Sequence, residues 1–480
     1  MSFSSVSFFV FMIAVFLIYW GIPHKFRYIL LIFANLVFYG SFGVTCLPIL
    51  IGETVIAYAS GRILEAGNTA DSEESSVKKR QKNIFVFAVI LTVLELLVFK
   101  YLNFSIYTID KILNMISVQV SDHTVRLLAP IGISFYTFES LSYIADVYNG
   151  KTAAEKNIFK LFAFISFFPS VTSGPIERAG AFIPQLNKEK TFDYGRTVYG
   201  MRLVLLGMLK KLCGADVLKQ YVDAVFGNVF AYRGPVFIIA IILYTYEIYL
   251  DFSGYTDMAR GFAGMLGFEL SENFKAPYLS AGIKEFFGRW HISLSQWLRD
   301  YIYIPLGGSR CVRIRKYINL MITFFVSGLW HGASFTFIVW GLLHGVYQCA
   351  ADCIKSWSVK TGRVLRIIVT FGLASFAWMF FRANSLADAK YIMMNMLSGD
   401  NFYGQMLQMG FLKVSSYISV VLIIMMTIIY DIYSEKRDII SSIGKMKMPI
   451  RWLLYITAGV LVVILRSHVG AGADFIYFKF

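Results

Sequence analysis

Long apolar runs separated by short charged clusters dominate the chain. They predict helical spans near residues 6–20, 28–40, 44–60, 83–101, 129–147, 157–170, 197–213, 234–250, 316–328, 331–353, 364–381, 413–431 and 449–465. A helix needs about 20 apolar residues to cross the hydrocarbon core, and several of these runs are shorter, so about eleven full crossings are expected, with one or two tilted, re-entrant or protein-buried segments. Two stretches break the pattern. Residues 66–82 are polar and read as a solvated loop. Residues 268–315 are amphipathic: Phe274, Tyr278, Phe286, Trp290, Trp297, Tyr301 and Tyr303 alternate with Lys275, Lys284, Arg289, Arg299 and Arg310. Aromatic rings and snorkelling cations favour the headgroup level, so a helix or helix pair at the cytoplasmic interface, dipping into the protein, is expected there. Residues 466–480 read as a short tail.

Composition sharpens this reading. Of 480 residues, 57% are apolar and 16% charged, with mean hydropathy +0.60. A soluble domain carries roughly 45–50% apolar and about 25% charged residues. One all-α polytopic membrane domain over residues 1–480 is the expected fold class, and no soluble domain is seen. The net charge of +15 comes from short basic clusters such as Lys78-Lys79-Arg80 and Arg313-Ile314-Arg315-Lys316. These fit cytoplasmic loops under the positive-inside bias, and no nucleic-acid partner is expected. The first apolar run precedes Lys25 and Arg27 and lacks the basic flank of a cleaved signal, so a retained span with an outside N-terminus is expected. That orientation puts the 62–82 loop, with its five basic residues, inside.

Cys46, Cys213, Cys311, Cys349 and Cys353 form no C-x-x-C pair, and neither a disulfide framework nor a metal site is expected. Walker, H-E-x-x-H and G-x-S-x-G patterns are absent, which removes support for ATPase, metalloprotease and esterase chemistry.

Ionisable groups inside apolar runs need a reason, since each costs about 2.5–3.5 kcal/mol on insertion scales. His24, His123 and His468 read as solvated. His331 lies between two apolar runs, beside Trp330 and between Gly328 and Gly332. Desolvation disfavours its charged form, and a neutral imidazole serves as general base on a hydroxyl; the alternative is a core histidine satisfied by a backbone carbonyl. His291 has Ser295 at i+4, on one face if the segment is helical, and the alternative is a histidine wetted at the interface. His344 lies 13 positions after His331, nearly opposite on a straight helix, and reads as structural. Glu53, Glu95, Glu139, Glu247 and Asp251 also lie in apolar context, with Glu247 and Asp251 at i, i+4. They suit either a transport path or helix-fixing ion pairs, and the absence of doubled halves argues against a transporter. Gly254, Gly261, Gly264 and Gly267 read as a small-residue packing stripe.

The continuous run from Arg289 through Trp290, His291, Ser295 and Asp300 to Gly308 closely resembles the signature of membrane-bound O-acyltransferases, as does Gly328-Leu329-Trp330-His331-Gly332-Ala333-Ser334. Ser173–Arg178, Leu250–Ala259, Glu272–Tyr278 and the ending Phe475–Phe480 resemble the bacterial branch that acetylates exported polysaccharides. The resemblance implies a ring of tilted helices around a thinned centre, with cavities open to both membrane faces. It implies His331 as the catalytic histidine and His291 as the family's second motif position, with Asn273, Trp290, Trp330, Arg289 and Ser295 binding substrate. It further implies a cytoplasmic acyl-coenzyme A donor, most simply acetyl-CoA, with no resident cofactor. The expected partners are a polysaccharide acceptor and an exported protein of the SGNH-hydrolase type, at a bacterial plasma membrane. Within the family the alternative is D-alanyl transfer to teichoic acid from a carrier-protein thioester; outside it, a non-enzymatic transporter.

Overall fold

The computed structural model describes residues 1–69, 75–116, 125, 129–354, 362–399 and 401–469, and among these the protein is helical, with one isolated antiparallel bridge, Phe274 to Trp290, in place of any strand. His123 and the Phe475–Phe480 ending lie outside the described residues, as does the side chain of His468. Among the described residues five helices are long and apolar enough to cross a membrane, where about eleven crossings were anticipated, and two shorter apolar helices accompany them. The chain divides into two compact units, residues 1–194 with 263–271, and residues 195–262 with 272–480.

In the first unit, α1 (Val6–Gly21), α2 (His24–Gly40), α3 (Leu47–Thr69), α4 (Ser75–Leu96) and α5 (Leu102–Met115) lead to α6 (Ile133–Tyr148), α7 (Ile158–Ile165) and α8 (Ala179–Asn187). On α1, Phe8, Met12, Val15 and Tyr19 are buried while Val6, Val10, Ile13 and Leu17 are exposed. A helix apolar on both its packed and its open face is matched to lipid.

Two expectations are corrected here. The run 157–170 is no crossing: α7 has eight residues, and the chain then turns. The Asn35 side chain makes the turn possible, its amide donating to Ser166 Oγ at 3.0 Å and its Oδ1 accepting from the Phe168 N–H at 2.9 Å. Buried backbone needs such partners once helix bonds are given up. The polar 66–82 stretch is largely helical rather than loop, because α3 runs on to Thr69 and α4 begins at Ser75, with 70–74 outside the described residues. An Arg62–Glu65 ion pair of 2.8 Å supports the α3 end, at the i, i+3 spacing that favours helix.

The second unit holds α9 (Tyr194–Met208), α10 (Asp216–Gly227), α11 (Val236–Met265), α12 (Ile283–Phe287), α13 (Ile292–Leu298), α14 (Arg313–His331), α15 (Phe335–Cys353) and α16 (Arg363–Arg382). It closes with α17 (Leu386–Asn395), α18 (Phe402–Gln408), α19 (Val414–Ser434), α20 (Ile439–Gly444) and α21 (Met448–Val469). Helix α11 continues well past the anticipated end near 250. Its polar C-terminal half stays helical because Gly254 and Gly261 press on the backbone of α9: a Cβ there would lie 2.7 Å from the Gly207 carbonyl oxygen and 2.6 Å from that of Gly200. Its acids are neutralised by Lys211 to Asp251 at 2.7 Å and Lys210 to Asp257 at 2.7 Å. Both lysines belong to a wide-turn (π) segment, Leu209–Ala215, that follows α9.

Candidate active site

The 268–315 region is not an interfacial helix pair. It is a folded-in segment of short helices in which Trp290 is 2% exposed, His291 2% and Asn273 1%. Its start is a clamp of two crossing strands of chain. The Lys275 N–H donates to the Arg289 carbonyl at 3.0 Å, the Ile292 N–H to the Asn273 carbonyl at 3.1 Å, and the Ser293 N–H to Asn273 Oδ1 at 3.0 Å. His291 sits between these bonds with φ 43°, a left-handed conformation that is uncommon outside glycine. It therefore precedes α13 rather than belonging to it, and the anticipated His291–Ser295 helix face does not form. Instead the Ser295 N–H bonds the His291 carbonyl at 3.0 Å, and Ser295 Oγ donates to the Trp290 carbonyl at 3.3 Å. A strained residue that its surroundings over-determine is characteristic of functional sites.

His331 is carried differently. It is the last residue of α14, which ends because Gly332 is extended and Ser334 caps the next helix, its hydroxyl accepting from the Thr336 N–H at 3.3 Å. Helices α14 and α15 form a hairpin whose backbones nearly touch: a Cβ on Gly328 would lie 2.4 Å from the Phe337 carbonyl oxygen, and one on Gly341 2.3 Å from that of Phe324. The glycine pattern around His331 thus corresponds to close backbone approach. At the other end of the hairpin, Lys316 Nζ meets Asp352 at 2.7 Å.

The imidazole of His331, 3% exposed, is walled by Trp330, Trp340 and Phe381, with ring centroids 4.9, 4.8 and 5.1 Å away, all edge-on. Trp330 also lies 5.7 Å from the His291 ring and so stands between the two histidines. Because the chain reverses after His331, the helical-wheel argument placing His344 opposite does not apply. His344 packs on the same Trp340, at 4.9 Å, among Phe287 and Tyr347, as a core residue.

A cavity of about 780 Å³ reaches His331 from the basic end of the hairpin. It brings together His331, His291, Trp290 and Ser295 of the residues singled out from sequence; Trp330, Asn273 and Arg289 do not line it. Trp330 spaces the two imidazoles and Asn273 holds the His291 turn. Arg289 bridges Glu285 at 2.7 Å and Glu435 at 2.6 Å. The cations that do line the cavity are Lys284, Arg299 and Lys316. Sequence reasoning passed over Lys316, Thr323 and Ser327, which also line it. Their signal was present: Thr323, Ser327 and His331 recur every four residues on α14, one polar stripe on one face.

A second cavity, about 390 Å³, lies beyond the hairpin tip and is lined by Ser334, Thr336, Phe337 and Phe381 together with charged residues of α10, α11 and α16. Phe381 thus contacts the His331 ring and lines the second cavity. A buried imidazole stands between a roomy basic-mouthed cavity and a smaller charged one.

Residues 84–387 match the model of MBOAT, the membrane-bound O-acyltransferase family. The chain is 38% identical to the probable alginate O-acetylase AlgI of Azotobacter vinelandii over 389 residues, covering 80% of this chain and 76% of that protein. It is 30% identical to a peptidoglycan O-acetyltransferase of Helicobacter pylori, over 76% of this chain and 73% of that protein. A teichoic acid D-alanyltransferase of Bacillus subtilis is 29% identical over 53% of this chain and 69% of its own.

Proposed function

The chain belongs to the membrane-bound O-acyltransferase family and is a membrane acyltransferase, and we propose that it takes an acetyl group from cytoplasmic acetyl-CoA and passes it across a bacterial plasma membrane for O-acetylation of an exported or cell-wall polysaccharide. An exported SGNH-hydrolase-type partner completes the transfer. The observation that carries this reading is His331 standing between two cavities that approach it from opposite ends of the α14–α15 hairpin. The basic end, with Lys284, Arg299, Lys316 and the Arg363 of α16, is the cytoplasmic one by the positive-inside bias. Its three lining cations suit the phosphates of a coenzyme, which charge-assisted hydrogen bonds recognise.

In the reaction the acceptor oxygen forms a bond to the thioester carbonyl carbon while the carbon–sulfur bond breaks. The hydroxyl proton passes to the neutral imidazole of His331 and from there to the leaving thiolate, so coenzyme A departs as its thiol. The aromatic box excludes water, which would otherwise compete as acceptor. His291, fixed by the Asn273 clamp, lines the same cavity, which supports giving it the role of donor to the developing oxyanion.

The test is release of free coenzyme A from acetyl-CoA by the full chain in nanodiscs, for wild type and His331→Ala. Loss of turnover in the variant, with unchanged gel-filtration behaviour, supports the assignment. Equal turnover in both would overturn His331 as the base. A wild type inert to acetyl-CoA but active with a D-alanyl carrier-protein thioester would replace the donor.

A further inference from the structure

The second cavity has an unusual balance of charge. Six of the seven charged side chains that line it are accounted for in pairs. Lys211 bridges Asp216 at 2.9 Å and Asp251 at 2.7 Å, Arg382 meets Asp223 at 2.6 Å, and Lys219 pairs with the same Asp223. The seventh is Glu247. It lies one helical turn before Asp251 on α11, is 4% exposed, and its Oε2 is buried with no hydrogen-bond partner. Leaving one buried carboxyl oxygen unsatisfied costs about 1–3 kcal/mol, and a hydroxyl entering the cavity that Glu247 lines can supply its partner. Ser334 and Thr336, at the tip that follows His331, and Phe337 and Phe381 complete the wall facing the imidazole.

We propose that Glu247 is the acceptor-binding residue of this transferase: its carboxyl group hydrogen-bonds a hydroxyl of an uncharged acceptor group entering the second cavity. This rests on the reading of the second cavity as the acceptor side. An acceptor carboxylate would have to shed its hydration in a poorly solvated pocket whose three cations are already paired with aspartates, so the cavity selects hydroxyl-bearing groups without negative charge. For an anionic polysaccharide the immediate acceptor is then an uncharged sugar residue and not the acidic sugar itself. Phe381, whose ring centroid is 5.1 Å from that of His331, also lines this cavity, so it separates a group held at Glu247 from the imidazole.

The experiment uses the full chain in nanodiscs with acetyl-CoA as donor. The probes are methyl mannopyranoside and its 6-carboxylate analogue, with acetylated sugar quantified by mass spectrometry. Wild type is expected to acetylate the neutral sugar with a kcat/KM at least tenfold above that for the uronate. Glu247→Gln is expected to raise KM for the neutral sugar at least tenfold and to narrow the discrimination, with KM for acetyl-CoA within twofold of wild type. Glu247→Asp is expected to restore part of the loss, which a purely structural role would not produce. Unchanged sugar KM in Glu247→Gln overturns the proposal. So does a wild type that consumes acetyl-CoA yet acetylates neither sugar, or prefers the uronate. A wild type that consumes no acetyl-CoA overturns instead the donor assignment made above.

Discussion

Replacing Gly341 by Ala tests whether backbone contact in the α14–α15 hairpin positions the imidazole of His331, the proposed base. The added methyl would lie 2.3 Å from the Phe324 carbonyl oxygen and 3.1 Å from the backbone of Gly328. Both obstacles are backbone, so no rotamer change relieves them. The helices must separate by about 1 Å to reach ordinary contact, since interiors pack near crystal density. Overpacking of this kind costs typically about 1–3 kcal/mol. The movement falls on the element that ends in His331, and about 1 Å of misplacement at a reacting centre costs on the order of 10²-fold in rate. The assay pairs thermal unfolding of the purified protein with coenzyme A release under saturating donor. Turnover should fall far more than folded protein at the assay temperature, with little change in donor KM. Gly372→Ala on α16 is the control, because nothing lies within 4 Å of its added methyl and the residue is exposed. Wild-type turnover and melting in Gly341→Ala would refute the idea that this contact sets the site.

Asn273→Ala removes the Oδ1 that accepts from Ser293 N–H in a site 1% exposed; a loss of about 1–3 kcal/mol and a large fall in turnover are expected, whereas Asn273→Asp keeps the acceptor and should retain much of both, read by unfolding and coenzyme A release. Lys316→Met should raise KM for acyl-CoA, while Asp352→Asn, which frees the same ammonium, should leave it unchanged or lower it; equal effects in both would mean the pair is only a hairpin tie. Lys211→Met strands Asp216 and Asp251 without their shared cation and should destabilise by about 3–5 kcal/mol, seen as lost monodisperse protein, with Lys211→Arg retaining it.

The membrane character and most helix positions were legible because apolar length is a direct consequence of bilayer thickness. That His331 is buried was legible because it lies between glycines in an apolar run, and the structure adds that it lines the larger cavity. The failures have physical causes. The 157–170 run is apolar because it is buried in protein, and hydropathy does not separate protein interior from lipid. The Asn35 side chain, more than a hundred residues earlier, is what lets that segment turn. The left-handed φ of His291 follows from hydrogen bonds to Asn273 that no local pattern encodes. Arg289, which the resemblance made a substrate-binding residue, is paired instead with Glu435, 146 positions away. The polar stripe of Thr323, Ser327 and His331 was readable and went unread, since attention to catalytic residue types passed over hydroxyls one and two turns before the histidine.

The aromatic wall around His331 has an electrical consequence. With the two cavities opening to opposite membrane faces, as proposed above, the membrane potential falls across the septum between them, in which Phe381 contacts the His331 ring and lines the second cavity. Moving one elementary charge through that field is worth about 2.3 kcal/mol per 100 mV. An acetyl group, the proposed cargo, would cross the septum carrying no charge, so its transfer would run at the same rate in energised and de-energised membranes. A D-alanyl group with its ammonium, the cargo named for the Bacillus subtilis relative, would move outward against an inside-negative potential. Collapsing the potential in oriented vesicles therefore separates the two cargoes without any knowledge of the acceptor.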